Sequence, residues 1–140
     1  MKPSRGAGLA AAESAGVLIT TNPFDKQDHR GVYINAKRGL GMKVVEGQKI
    51  PEQIIYRLQT NTVRVLTRSN EDTLLTFDAS GGLKEIQTYP DRAILTDSTA
   101  RKLARAALAI KKHFGGREQD IEWVIVGAEI YIVQSRPYIE

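Results

Sequence analysis

Apolar positions fall in short β-type runs along most of the chain and switch to a helical period only once. Val17-Leu18-Ile19-Thr20-Thr21 is a β-branched run that ends at Asn22-Pro23, a turn signal. Val32-Tyr33-Ile34 reads as a second strand, and Arg38-Gly39-Leu40-Gly41 then breaks the regularity. Met42 to Gln48 fits a short strand or a loop equally well. Four strand-length pieces follow, at 54–58, 62–66, 73–77 and 83–86. Thr60-Asn61, Ser69-Asn70-Glu71-Asp72 and Ser80-Gly81-Gly82 separate them, so the pattern over 53–88 predicts an antiparallel meander. Ser80-Gly81-Gly82 lacks the strand-to-helix context and the lysine of a phosphate loop, and a hairpin turn accounts for it.

After residue 96 the period changes. Leu103, Ala107, Ile110 and Phe114 recur at helical spacing, and Ala100, Ala104 and Leu108 widen the stripe. Asp97 is a suitable N-cap and Gly115-Gly116 a suitable stop, which predicts one long helix over about 97–114. Its other side carries Arg101, Lys102, Arg105 and Lys112, a solvated face in the simpler reading and a binding surface in the other. His113 stands where the negative end of the helix dipole favours a cation, so it needs no catalytic explanation. The expected class is α+β: a mostly antiparallel sheet, one long helix and a terminal β-hairpin.

Composition narrows the partners. The chain has 140 residues, the size of one domain, with 41% apolar and 26% charged residues, which excludes an intrinsically disordered chain. It has no cysteine, which excludes a disulfide scaffold, a thiolate metal site and a cysteine nucleophile. A cytoplasmic location is the expectation. No apolar run is long enough to span a bilayer, so no membrane partner is expected. The net charge of +4 is concentrated between Arg101 and Arg117, and charge alone is weak support for a nucleic-acid partner, which is not expected. Residues 1–14 read as a flexible lead-in, and 15–140 as the structured part.

The last twenty residues carry the chemistry. Two apolar strands flank Gly127-Ala128-Glu129, and polar groups sit at their far ends. With a three-residue loop, Val126 faces Ile130, Val124 faces Ile132, Glu122 faces Gln134 and Asp120 faces Arg136, all on one face. With a two-residue loop Gln134 faces Ile121 instead, and the three-residue register is the expected one. An apolar floor then leads to two carboxylates, one amide and one guanidinium. Carboxylate and amide oxygens are hard ligands that Mg²⁺ accepts together with phosphates. A guanidinium can fork two hydrogen bonds onto phosphate oxygens. The same spacing also fits an Asp120–Arg136 surface salt bridge with Glu122 and Gln134 merely solvated.

At these residues the chain resembles a known family. Asp120-Ile121-Glu122-Trp123 followed by Val133-Gln134-Ser135-Arg136-Pro137 is similar to the end of the nucleotide-binding domain of phosphoenolpyruvate synthase and pyruvate phosphate dikinase, shared by rifampicin phosphotransferases. Ala15 to Pro23, Gly39-Leu40-Gly41 and Val44-Val45-Glu46-Gly47 resemble further motifs of that domain, so the likeness covers most of the chain. The resemblance implies the C-terminal lobe of an ATP-grasp fold, with ATP and Mg²⁺ as cofactors. It implies that Glu122 and Gln134 hold Mg²⁺, that Arg136 contacts the β- or γ-phosphate as the catalytic residue, and that Asp120 stands behind them. The parent enzyme would pass a phosphoryl group from ATP to a histidine on another domain, then to pyruvate or another acceptor. The expected partners are therefore the nucleotide, the other ATP-grasp lobe, which would precede residue 1, and the phosphohistidine domain. The chain by itself is expected to be inactive. His29 and His113 lack the setting of the phosphoryl-accepting histidine.

Three departures bear on turnover. The family's arginine before Asn-Pro is Thr21, its acidic residue before Gly-Leu-Gly is Asn35, and the glutamate after it is Met42. Fewer charges to position phosphate and metal weaken phosphoryl transfer. The alternative function is therefore a non-catalytic regulatory or protein-interaction module derived from the same domain.

Overall fold

The computed structural model describes residues 2–3, 14–28, 30–39, 50–69, 73–77, 79–87 and 93–139. Of the motif residues named above, 40–47 lie outside the described residues, Met42 among them, as does His29. The described strands are β1 (Lys2–Pro3), β2 (Ser14–Ile19), β3 (Gly31–Arg38), β4 (Glu52–Arg57), β5 (Thr62–Thr67), β6 (Thr73–Phe77), β7 (Leu83–Gln87), β8 (Gln119–Val126) and β9 (Glu129–Pro137). One helix, α1 (Asp97–His113), lies between β7 and β8.

A seven-stranded sheet runs in the order β1-β9-β8-β2-β3-β4-β5 and is antiparallel apart from β1, which pairs parallel to β9. The class is α+β, as expected. The expected meander is not one unit. β4 and β5 continue the main sheet, whereas β6 and β7 form a two-stranded sheet of their own. Local turn signals mark where strands reverse, but they do not say which sheet a hairpin joins. Asn61 takes the left-handed conformation at the β4–β5 turn, with φ 53°.

The N-cap of α1 lies one residue earlier than expected. Thr96, not Asp97, is the N-cap, and its hydroxyl accepts from the Thr99 N–H at 3.1 Å, leaving Asp97 in the first turn where a negative charge suits the dipole. The helix buries Ala100, Leu103, Ala104 and Ala107 against Leu18, Ile34, Ile54, Ile121 and Trp123 of the sheet. Three alanines let the helix axis approach closely, and the single fully buried Leu103 contributes about 1.5–3 kcal/mol. Phe114, expected on the buried stripe, is 52% exposed, because the chain leaves the helix there and turns through Gly115.

The cationic side of α1 is used for docking within the chain. Arg101 Nε donates to the Asn61 carbonyl at 3.1 Å and an Arg105 Nη donates to Asn61 Oδ1 at 3.0 Å, so two of the four cations hold the β4–β5 turn. That is a structural role beyond simple solvation, and it leaves a smaller charged surface for any external partner.

Side chains on neighbouring strands share a face when their Cα atoms pair, so the register sorts the sheet into two surfaces. Ser14, Gly16, Leu18, Ile34, Ala36, Glu52, Ile54, Ile121 and Trp123 face α1. Ala15, Val17, Ile19, Tyr33, Asn35, Lys37, Gln53, Asp120, Glu122 and Val124 lie on the second face. Gly16 is required at its place: a Cβ there would stand 2.0 Å from the Asn35 carbonyl oxygen and 2.9 Å from the Trp123 ring.

Candidate functional site

The site is built by the β8–β9 hairpin, and its register is reached by an unexpected route. The turn has two residues, Gly127 and Ala128, with Val126 opposite Glu129. Gly127 has φ 60°, the conformation a two-residue hairpin turn asks of its first residue. From the turn, Ile125 pairs with Ile130 and Trp123 with Ile132. The register then shifts between Glu122 and Trp123, where β9 contributes Val133 as an extra residue. Beyond that bulge Glu122 pairs with Gln134 and Asp120 with Arg136. A short turn plus a bulge therefore gives the polar pairing that a three-residue loop would have given.

The consequence for the floor is a correction. Ile130 and Ile132 pack against the core shared with α1, on the other side of the sheet from Glu122. The apolar patch beside the polar pair is instead made by Ala15, Val124, Val126 and Tyr131.

The polar groups themselves are in two conditions. Arg136 is tied to Asp120, with Nε and an Nη each 3.3 Å from Asp120 Oδ2, and the Arg136 side chain remains 66% exposed. Glu122 and Gln134 are exposed and, among the described residues, neither side chain has a hydrogen-bond or ion-pair partner. The arrangement is that of the surface salt bridge with Glu122 and Gln134 solvated, and it leaves the carboxylate–amide pair beside the bridge open to a ligand.

Behind this end of the hairpin lies a buried polar brace that sequence reasoning missed. Ser135 Oγ donates to Gln119 Oε1 at 3.0 Å, and Gln119 Nε2 donates to the Arg117 carbonyl at 3.0 Å. The Gln119 N–H donates to Thr20 Oγ1 at 2.8 Å, and Thr20 Oγ1 donates to Glu118 Oε1 at 3.1 Å. The brace fixes Ser135 between Gln134 and Arg136, so the two outward residues sit on a strand locked from behind. Its only trace in the sequence is the period-2 placement of Ser135 among the motif residues.

The positions of the family departures have structural uses. Thr21 is buried and its hydroxyl donates to the Asp28 carbonyl at 3.4 Å. Asn35 Oδ1 accepts from the Val17 N–H at 2.8 Å, which fills a gap in the β2–β3 ladder beside Glu122's neighbour. In the adjoining loop, the Asn22 amide above all, then the Arg30 N–H and the Arg57 guanidinium, hold the Asp28 carboxyl below its usual range against the opposing pull of burial.

A Mg²⁺ fit can be tested on this donor set. Among the described residues no cluster of three or more His, Asp or Glu could hold a metal. Glu122 and Gln134 would supply two oxygens, with phosphate and water completing the shell, the mode in which Mg²⁺ is held by one or two side chains plus substrate phosphates. The pair fits that mode. A cavity of about 330 Å³, lined by Ser14, Arg38, Thr96, Lys102 and Ile125 among others, opens on the α1 side and includes none of these residues.

The residues that build the β8–β9 hairpin fall within a match to a known protein family. The family described as the pyruvate phosphate dikinase AMP/ATP-binding domain matches residues 7–140. The chain belongs to that family. It is 31% identical over 132 residues to a probable phosphoenolpyruvate synthase of Methanocaldococcus jannaschii, covering 92% of this chain and 11% of that protein. It is likewise 31% identical over 132 residues to a probable phosphoenolpyruvate synthase of Archaeoglobus fulgidus, covering 92% and 17%. A phosphoenolpyruvate synthase of Deinococcus radiodurans is 34% identical over 116 residues, covering 76% and 15%. The chain thus spans less than a fifth of the length of these relatives. Membership in the family makes the sheet described above part of an AMP/ATP-binding domain, and its β8–β9 hairpin lies within the matched residues. Among the described residues no helix is long and apolar enough to cross a membrane.

Proposed function

We propose that this chain forms the phosphate-facing, C-terminal lobe of an ATP-grasp nucleotide-binding domain in a phosphotransferase of the pyruvate phosphate dikinase and phosphoenolpyruvate synthase type. The observation that carries the reading is the bulge at Val133, which pairs the unpartnered Glu122 with the unpartnered Gln134 and sets Arg136 one step along the same strand. Glu122 and Gln134 hold Mg²⁺ in this reading, and Arg136 exchanges part of its contact with Asp120 for a β- or γ-phosphate oxygen. The metal supplies charge neutralisation at the phosphates. Asp120 holds the guanidinium in place before the nucleotide arrives, which limits the ordering cost of binding. Phosphoryl transfer then runs to a histidine on another domain and on to pyruvate or another acceptor, in the cytoplasm.

A second reading is nucleotide binding without turnover, in a regulatory or protein-interaction module. It is favoured by Thr21 and Asn35, whose side chains are committed to the Asp28 carbonyl and the Val17 N–H and bring no charge to the phosphates.

An amide NMR titration of the 140-residue chain with ATP, with and without Mg²⁺, tests the clamp. Mg²⁺-dependent shifts at Glu122, Gln134 and Arg136 are expected, and they should vanish in Glu122→Ala and Gln134→Ala. Unchanged Mg²⁺-dependent binding in both variants would overturn it. Transfer of phosphate to a histidine in the parent polypeptide separates the first reading from the second.

A further inference from the structure

The second face of the sheet carries more positive charge than the clamp uses, and the register shows where. Arg57 is paired with Asp28 at 2.9 Å and Arg136 with Asp120 at 3.3 Å. Arg64 lies on β5, the far edge strand of the sheet. Lys37 is different. It pairs with Ala15, which pairs with Val124, so it lies on the same face as Glu122, two strands across and two residues along. At ordinary sheet spacings that places the two Cα atoms about 12 Å apart.

Lys37 is half-buried yet, among the described residues, its ammonium has no hydrogen bond or ion pair. It does not bridge to Glu122, so the two charges stand more than 4.0 Å apart. Among the described residues, the face between them carries the apolar Ala15, Val17 and Val124 together with Asn35, whose Oδ1 is taken by the Val17 N–H. A half-buried lysine set in register beside Ala15, with its charge unspent, is suited to an anion arriving from outside. Among the described residues of the strands, the other acidic groups on this face are Asp120, already bonded to Arg136, and Glu129, which lies beyond Val124 on β9 and has a partner of its own.

We propose that Lys37 is a second phosphate-binding cation of the nucleotide site, engaging the polyphosphate from the side of the Glu122–Gln134 pair opposite Arg136. This rests on the clamp reading above and adds to it a specificity: the site takes nucleoside di- and triphosphates in preference to monophosphates. Arg136 and Lys37 then bracket the metal pair from β9 and β3, two strands that the fold holds apart by β8 and β2.

The test is titration of the 140-residue chain with Mg-ATP and separately with AMP, for wild type, Lys37→Ala, Lys37→Gln and Lys37→Arg. Lys37→Ala and Lys37→Gln should weaken Mg-ATP binding about tenfold and flatten its salt dependence, with AMP changed by less than about twofold. Lys37→Arg should restore most of the Mg-ATP affinity. Equal losses for ATP and AMP, or no loss for either, would overturn the proposal while Glu122→Ala still tests the clamp. A wild-type chain with no Mg-ATP-dependent shift would overturn both. Denaturant midpoints of the variants, expected to match wild type, exclude misfolding, and the glutamine variant keeps the stem's packing if alanine does not.

Discussion

Two glutamates on opposite faces of one sheet show how differently a carboxylate can be used. Glu52 begins β4 on the face toward α1 and is fully buried. Its oxygens accept from the Ile94 N–H at 2.9 Å, the Leu95 N–H at 3.0 Å and Arg68 Nη1 at 3.0 Å. Glu122 lies on the second face, exposed and, among the described residues, without a partner. A carboxylate with its acceptor sites filled by its own chain is a structural staple. One held in place by a braced strand and left unfilled is available to a ligand. Burial alone does not separate the two, since a buried carboxylate can equally be catalytic; the count of satisfied acceptor sites does.

Removing each in turn should break the comparison in opposite directions. Glu52→Ala leaves two N–H groups ahead of α1 without an acceptor and Arg68 without its counterion, and should cost about 3–5 kcal/mol in denaturant unfolding. Any loss of nucleotide binding should then follow the unfolded fraction. A change below about 1 kcal/mol would mean that water replaces the carboxylate and that the staple is not structural.

Gly16→Ala is the next largest. The new methyl would meet the Asn35 carbonyl and the Trp123 ring at once, so β2 and β3 must separate or Trp123 must move. The expected cost is about 1–3 kcal/mol, read together with a shift in the emission of Trp123, the chain's one tryptophan. Because Asn35 also holds the Val17 N–H beside Glu122, this variant should disturb the second face from behind. Wild-type stability would show that the β2–β3 contact relaxes freely.

How much of this could be read from the chain differs between the two faces. The face toward α1 was legible in outline: the change to helical period at Leu103, Ala107 and Ile110 and the β-branched runs gave the elements. Glu52 was not, because its backbone partners lie 42 and 43 residues further on and a lone glutamate after a proline gives no local sign. On the second face, Glu122, Gln134 and Arg136 were legible as a group, while the path to their pairing was not. Residues 130–133 are all apolar, so nothing in their pattern marks where the alternation slips, and a bulge at Val133 is indistinguishable from one more loop residue. The same slip decides that Ile130 and Ile132 belong to the core rather than to the floor of the site.

Glu122→Gln should have the converse signature of Glu52→Ala. With no partner to lose, stability should change by less than about 0.5 kcal/mol, while the Mg²⁺ dependence of ATP binding disappears. Asp120→Asn sharpens the point by loosening Arg136. The Asp120–Arg136 pair is largely exposed, so its loss should cost no more than about 1 kcal/mol, with weaker binding of ATP and little effect on AMP. Equal loss of stability in Glu122→Gln and Glu52→Ala would remove the distinction drawn between the faces.

The smallest effect concerns a carboxylate between these extremes. Asp28 is bonded by the Asn22 amide at 3.2 Å and by Arg57 at 2.9 Å, and these contacts depress its titration below the ordinary value of about 3.9. A folded-state value below the unfolded one means that the unfolded chain takes up the proton first as pH falls. The stabilisation from Asp28 is therefore complete at neutral pH, and it is lost as pH falls below the ordinary aspartate value and through the depressed one. Asp28→Asn should be less stable than wild type at pH 7 by under about 1 kcal/mol, given the exposure of Arg57. That gap should close in the acid range as the wild-type carboxyl protonates, measured as the difference between two denaturation curves at each pH. A gap that stays constant from neutral to acid pH would show that Asn22 and Arg57 hold the loop by shape rather than by charge. Asp28 would then join Glu52 as a staple, with no electrostatic share in fixing the loop beside Thr21.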